Sequence, residues 1–323
     1  MKRFDIDALT GSGGVLANEF EEETAMDTAS ALRALDVEPL TDDQRRRFDT
    51  DGYFILDAVF TPAECAEMAA EFDRLEAEDG ENAGMEVSLE GVDGRLYNPQ
   101  EGKQAGLKTG STRISNIFNK SRAFDRCLSI GPLLAASAHL LGEIKLHGAN
   151  LREPHQGYGH QPLHSDVQKR FKGDWWLVNS LIMFDDMTLD NGPTRLVPGS
   201  QYWPELNVPG ENVMPSEVTD PDLLAFDRYP EDPFAPYPGE VLVTLPAGSV
   251  CVFNSSCWHG GTRKQNDARR RMLHLTYTRR DLKQQLPQQE HLTEGLYDRL
   301  NEPQRWLFDV REPAARERET VEA

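Results

Sequence analysis

Leu163-His164-Ser165-Asp166 and, far downstream, Trp258-His259-Gly260-Gly261 decide how this chain is read. Two imidazoles and one carboxylate are the protein ligands of a mononuclear Fe(II) oxygenase site, a set that leaves one face of the ion open. Side chains two apart on a β-strand point to the same side, so His164 and Asp166 can grip one ion while Ser165 points away. The third ligand, His259, then has to arrive from a distant strand. Taken alone, the His-x-Asp triplet is a pattern that 8 His and 54 acidic residues produce by chance. Its surroundings decide.

The run Trp175-Trp176-Leu177-Val178-Asn179-Ser180-Leu181-Ile182-Met183-Phe184 reads as a buried strand. Asp185-Asp186, the turn signal Asp190-Asn191-Gly192-Pro193 and then Val197-Pro198-Gly199-Ser200 follow it. Pro246-Ala247-Gly248 introduces a second apolar strand, Ser249 to Asn254, which delivers His259. Arg269-Arg270-Arg271 opens a further strand, Met272 to Thr278.

In this order and spacing the pieces resemble the phytanoyl-CoA dioxygenase (PhyH) family of Fe(II)/2-oxoglutarate oxygenases. Leu40 to Glu76, with Asp51-Gly52-Tyr53-Phe54-Ile55-Leu56 at its centre, is similar to the family's usual opening, so the resemblance covers roughly residues 40–282. It implies a mainly β fold with flanking helices and a double-stranded β-helix (jelly-roll, cupin-like) core. It implies Fe(II), 2-oxoglutarate and O2 as cofactors, with His164, Asp166 and His259 as metal ligands. By the same resemblance Arg270, eleven residues after His259, is expected to pair with the distal carboxylate of 2-oxoglutarate. A guanidinium suits that role because its planar fork of donors matches a carboxylate bidentately. Arg269 and Arg271 have the opposite strand parity and are expected to be salt-bridged or solvated.

Two departures from relatives bear on function. Leu181 stands where some relatives carry a Trp in the cofactor pocket. The run Val167-Gln168-Lys169-Arg170-Phe171-Lys172-Gly173-Asp174 does not match the ectoine hydroxylase branch, so ectoine is not the expected substrate. Related halogenases lack the carboxylate ligand; its presence here as Asp166 favours hydroxylation, or a related desaturation or ring closure. The expected substrate is a small molecule, with His155, Tyr158 and Trp175 as candidate contacts. His274 shares the parity of Arg270 and can face the same pocket. The alternative of another class is a non-oxidative metal-binding cupin, an isomerase or a ligand sensor, which would have no need of Arg270.

Three parts are expected. Residues 1–40 form an acidic, loose arm, residues 41–282 the oxygenase domain, and residues 283–323 a polar, helical extension. Pro- and acid-rich residues 201–238 interrupt the strand pattern as a lid-forming insertion. Capping-box patterns at Thr41–Gln44 and Thr61–Glu64 start helices reaching about Thr50 and Ala77, with a strand over Tyr53–Phe60 between them. Pro132–Leu141 and Pro303–Val310 read as helices, and Glu143–Arg152 as a strand leading to the site.

A formal charge of −20, from 34 basic and 54 acidic residues, repels nucleic-acid phosphate and anionic lipid. No apolar run is long enough to span a membrane, and Met1 to Phe20 lacks the apolar core of a secretory signal. Cys65, Cys127, Cys251 and Cys257 show no metal or redox spacing. A cytoplasmic enzyme with reduced thiols is expected, without nucleic-acid or membrane partners.

Overall fold

The structure, a computed structural model, describes residues 26–79, 110–208 and 218–312. Nine strands lie along them: β1 Tyr53–Leu56, β2 Ser111–Ser115, β3 Ile144–Pro154, β4 Leu177–Met183, β5 Thr194–Leu196, β6 Val241–Val243, β7 Val250–Asn254, β8 His259–Gly261 and β9 Met272–Arg279. They form a six-stranded sheet in the order β1-β7-β4-β9-β3-β2 and a three-stranded sheet in the order β6-β5-β8. All pairings are antiparallel. A lone antiparallel bridge, His164 to His259, ties the chain entering β4 to the smaller sheet. This is the jelly-roll architecture expected.

Period-two patterning sorts the strand residues between two cores. Val250 and Val252 of β7, Val178 and Ile182 of β4, and Leu273 and Leu275 of β9 pack on the helix side. Cys251, Phe253, Leu181, Met183 and Met272 alternate with them and fill the space between the sheets. On the helix side, Pro62–Asp79 contributes Met68, Phe72 and Leu75, Gly131–Leu141 contributes Leu133 and Leu134, and Glu302–Phe308 contributes Leu307 and Phe308. The inner face of the large sheet is thereby left to the pocket.

Local capping signals form as expected. Thr41 and Gln44 close a reciprocal capping box on Asp42–Asp51. Thr61 and Glu64 exchange the equivalent bonds ahead of Pro62–Asp79. The strand expected over Tyr53–Phe60 stops at Leu56, because Ala58 takes a left-handed φ of 51° that a strand cannot continue through. The expected arm over 1–40 lies partly outside the described residues. Within them, Thr28–Ala34 is a helix whose first residue bonds the Glu143 carboxylate through its amide and hydroxyl, both at 3.0 Å. No helix among the described residues is long and apolar enough to cross a membrane.

Two predictions arise from this packing. Gly52 ends the helix Asp42–Asp51 with φ +83°, and a Cβ there would lie 2.2 Å from Cys257 Sγ and 2.6 Å from Gln201 Oε1. Gly52→Ala therefore combines a left-handed backbone with an overpacked contact, and is expected to cost about 2–5 kcal/mol in chemical denaturation. A midpoint within error of the parent would refute the close approach. The four cysteines are free and buried, and burial pushes the Cys251 and Cys257 thiols up to about 12. Thiolate is the reactive form. The folded protein should thus give almost no colour with a thiol-titrating disulfide, and the full cysteine count only after unfolding; rapid reaction of the native state would contradict the packing.

Candidate metal centre and pocket

His164 and His259 face each other across the bridge, each backbone N–H donating to the other's carbonyl at 2.8 Å. Their rings stand 4.4 Å apart between centroids. Each Nδ1 lies against a backbone carbonyl two residues earlier, His164 on Pro162 at 2.8 Å and His259 on Cys257 at 2.9 Å. A carbonyl can only accept, so Nδ1 carries the proton and Nε2 keeps its lone pair. Both Nε2 atoms converge on Asp166 Oδ1, at 3.7 and 3.6 Å. The three donor atoms lie within 4.8 Å of one another. Asp166 is held from its own backbone, its N–H donating to Ser255 O at 3.0 Å.

One local expectation is refined. His164 makes only a single bridge and Asp166 sits in a bend, so no regular strand carries the His-x-Asp pair. The spacing still puts both on one side. Ser165 turns away, fully buried, with its amide and hydroxyl directed at Leu206 O.

Electrostatics prepare the donors. Burial drives the His164 imidazole down to about 4, so its ring is neutral at ordinary pH. Burial raises the proton affinity of Asp166, but the neighbouring His259, His164 and Arg152 outweigh it and hold the carboxyl well below its usual range. Burial likewise opposes protonation of His259, while the Asp166 carboxylate beside it raises its proton affinity above the usual imidazole value. A neutral imidazole and an ionised carboxylate are the states a hard-to-borderline divalent ion binds. The donor set therefore fits Fe(II), with both ring orientations fixed by carbonyl partners.

The cavity in front of these atoms is lined on one side by His164, Asp166 and His259, and elsewhere by Asn179 and Leu181 of β4, Phe253 of β7, and Arg270, Met272 and His274 at β9. Arg270 is buried, 6% exposed, and its backbone N–H donates to Glu153 Oε1 at 3.2 Å. Its neighbours point to the other side of the sheet. Arg269 pairs with Glu153 at 2.7 Å and Asp73 at 2.8 Å, and Arg271 pairs with Asp185 at 2.8 Å and Asp73 at 2.7 Å. Asp185 is thus engaged by arginine. The parity argument for three consecutive arginines is realised directly: the middle one lines the cavity and the outer two staple the helix Pro62–Asp79.

Of the other residues expected near substrate, none lines this cavity. His155 bonds Thr112 Oγ1 at 3.0 Å, Tyr158 packs over Gly110, and Trp175 stacks edge-on with Tyr202 at 5.7 Å. The described part of 201–238 does not line it either. Its Trp203, Phe226, Tyr229 and Tyr237 surround Trp258, one residue before His259. Arg195 fastens this segment by donating to the carbonyls of Pro233 and Ala235, the latter at 2.7 Å. Polar residues that line the cavity and that sequence reasoning missed include Ser111, Arg152, Gln161, Asn179 and Thr194. Strand parity could have found Arg152 and Asn179 only with the inter-strand register in hand.

Comparison with known proteins follows the same lines. A family model described as Phytanoyl-CoA dioxygenase (PhyH) matches residues 48–272. Among solved structures, the chain is similar to HygX from Streptomyces hygroscopicus, whose crystal structure has nickel and 2-oxoglutarate bound. The identity is 18%, over 76% of this chain and 90% of that one, with a TM-score of 0.50. It is also similar to SnoK, a non-heme alpha ketoglutarate dependent carbocyclase from nogalamycin biosynthesis, at 14% identity over 81% of this chain and 91% of that one, with a TM-score of 0.54. At these identities the likeness is one of fold.

Proposed function

The chain belongs to the phytanoyl-CoA dioxygenase family of Fe(II)/2-oxoglutarate oxygenases, and from that premise we propose that it hydroxylates a C–H bond of a small molecule, with His164, Asp166 and His259 holding the iron and Arg270 the cosubstrate's distal carboxylate. The observation that carries the reading is the placement of a buried guanidinium and a two-histidine, one-carboxylate cluster in the lining of one cavity.

When bound, iron and 2-oxoglutarate supply the activation of O2 and the oxidising equivalents, with 2-oxoglutarate decarboxylated to succinate. The chain's own residues set the geometry. The carbonyls of Pro162 and Cys257 hold both rings so that both Nε2 atoms turn toward Asp166, where they would hold the iron. Asp166 would contribute the anionic donor, and its presence favours transfer of oxygen over halogenation. Arg270 would hold the far carboxylate of 2-oxoglutarate in the cavity that the histidines also line. Leu181, Phe253 and Met272 present apolar walls that exclude water from the reacting face.

Anaerobic titration of the Fe(II)-loaded chain with 2-oxoglutarate is expected to raise a weak visible charge-transfer band that saturates, followed in air by succinate release when candidate small molecules are screened. Iron binding without the band would overturn the reading and leave a non-oxidative metal-binding barrel. A product that is desaturated or ring-closed would keep the oxygenase and replace only the hydroxylation.

A further inference from the structure

Two carboxamides enter the cavity, one from the large sheet and one from beside the small sheet, and each side chain is anchored through its oxygen. Asn179 lies on β4 and shares a face with Leu181. Its Oδ1 accepts the Ser180 backbone N–H at 2.8 Å and the Thr276 hydroxyl at 2.9 Å. Gln161 stands beside β8, where its Oε1 accepts the Gly261 backbone N–H and its own backbone N–H donates to Gly261 O, both at 3.0 Å. A backbone N–H can only donate, so it must face the amide oxygen, and this fixes which way both carboxamides are turned. Asn179 Nδ2 and Gln161 Nε2 are the ends left over. Among the described residues nothing accepts a hydrogen bond from either nitrogen.

Both residues line the cavity with His164, Asp166 and His259, and Asn179 is only 7% exposed. His274, opposite Leu181 in the β4–β9 ladder, lines it too and carries a buried Nε2 that has no hydrogen-bond partner among the described residues. Buried polar groups are nearly always paired, because an unmade bond leaves the cost of desolvation uncompensated. Uncommitted donors in a cavity wall therefore mark where a bound molecule supplies the partners. A carboxamide nitrogen offers two N–H donors and no charge, so it selects an acceptor oxygen. Position separates this wall from the cosubstrate's arginine. Arg270 enters at the Met272 end of β9, whereas Thr276, which bonds Asn179, lies four residues beyond Met272, about 13 Å of strand.

Building on the oxygenase reading above, we propose that Asn179 and Gln161 are specificity-determining residues for the primary substrate, a neutral molecule that presents carbonyl or ether oxygens to both carboxamides. The two amide nitrogens donate to those oxygens, His274 adds a polar contact beside Asn179, and the carbon to be oxidised is held over His164, Asp166 and His259. Arg270 serves the cosubstrate and the carboxamides serve the substrate, so their effects on binding are separable.

The test uses full-length protein loaded with Mn(II) and saturated with 2-oxoglutarate under nitrogen, with tetrahydropyran-4-one as a neutral probe carrying one carbonyl and one ether oxygen. Mn(II) is paramagnetic, so a probe seated near it shows enhanced proton relaxation that saturates with concentration. The parent is expected to show it, and to bind cyclohexanone, which lacks the ether oxygen, more weakly. Gln161→Glu keeps an oxygen for the Gly261 N–H and puts an acceptor where the donor was, so the fold is retained while the probe Kd rises by about two- to tenfold, the net worth of one hydrogen bond. Asn179→Ala should weaken the probe by a similar factor. In both variants the calorimetric Kd for 2-oxoglutarate should change by less than about threefold, roughly half the free energy of a tenfold change. No saturable relaxation in the parent, or an unchanged probe Kd in Gln161→Glu or in folded Asn179→Ala, overturns the proposal. So does a larger loss of 2-oxoglutarate affinity in either variant, which would assign that carboxamide to the cosubstrate. Failure of the parent to bind 2-oxoglutarate at all would instead sink the oxygenase reading, so the two failures are distinguishable.

Discussion

Asp166→Ala should abolish 2-oxoglutarate turnover while leaving the apo protein folded. Its carboxylate approaches the two imidazoles at 3.7 and 3.6 Å, and its backbone bond to Ser255 O survives substitution. Loss of a group that merely orients a metal ligand typically costs about 10–100-fold in affinity, so loss of the carboxylate of the proposed ligand set should exceed that. Two measurements separate the roles. The apo melting temperature should stay within a few degrees of the parent. The added stability that Fe(II) or Mn(II) confers, about 2.7 kcal/mol at a metal concentration of one hundred Kd, should vanish. His259→Ala should behave alike in metal binding. Near-parental succinate release from Asp166→Ala would remove the ligand assignment.

Arg270→Ala is expected to leave metal binding intact and to weaken 2-oxoglutarate. Removing one partner of a buried, hydrogen-bonded charge pair costs about 2–5 kcal/mol, so Kd should rise by roughly thirty- to several-thousand-fold. The flanking arginines provide the contrast. Arg269→Ala and Arg271→Ala remove ion pairs to Glu153, Asp73 and Asp185 on the other side of the sheet. Their effect should fall on stability, with 2-oxoglutarate affinity nearly unchanged. If Arg271→Ala raised Kd as much as Arg270→Ala, the strand parity assigned here would be wrong.

Legibility in the sequence followed the range of the interaction. The capping boxes at Thr41 and Thr61 are closed by groups three residues apart, so local chemistry announces them. The buried strand β4 is announced by an apolar run interrupted only by Asn179 and Ser180, since both its faces are covered. The end of β1 is not announced: nothing in Asp57-Ala58-Val59 signals the left-handed φ at Ala58, after which Phe60 N–H reaches Gly248 O at 3.1 Å. Tyr158, in a Gly-containing loop before the His-x-Asp pair, and Trp175, one of two tryptophans on alternating strand faces, are plausible pocket residues from sequence. Their packing on Tyr202 and Gly110 takes them elsewhere.

What the sequence by itself determined is the chemistry. The donor types and their spacing allow a divalent-metal site, because ligand identity and two-residue periodicity are local properties, and the family resemblance carried by the ordered motifs adds the arginine after the second histidine as the proposed carboxylate partner. What only the tertiary structure decided is which distant side chains meet that chemistry. Arg152 faces the metal cluster because β3 pairs with β9 in a register that sets Arg152 against Met272, across an irregularity between Leu146 and Gly148. A one-residue slip in that ladder would turn Arg152 outward and bring Glu153 in, reversing the charge of the pocket wall. Register between strands more than a hundred residues apart is set by the packing of both cores at once, and no local stretch of this chain encodes it.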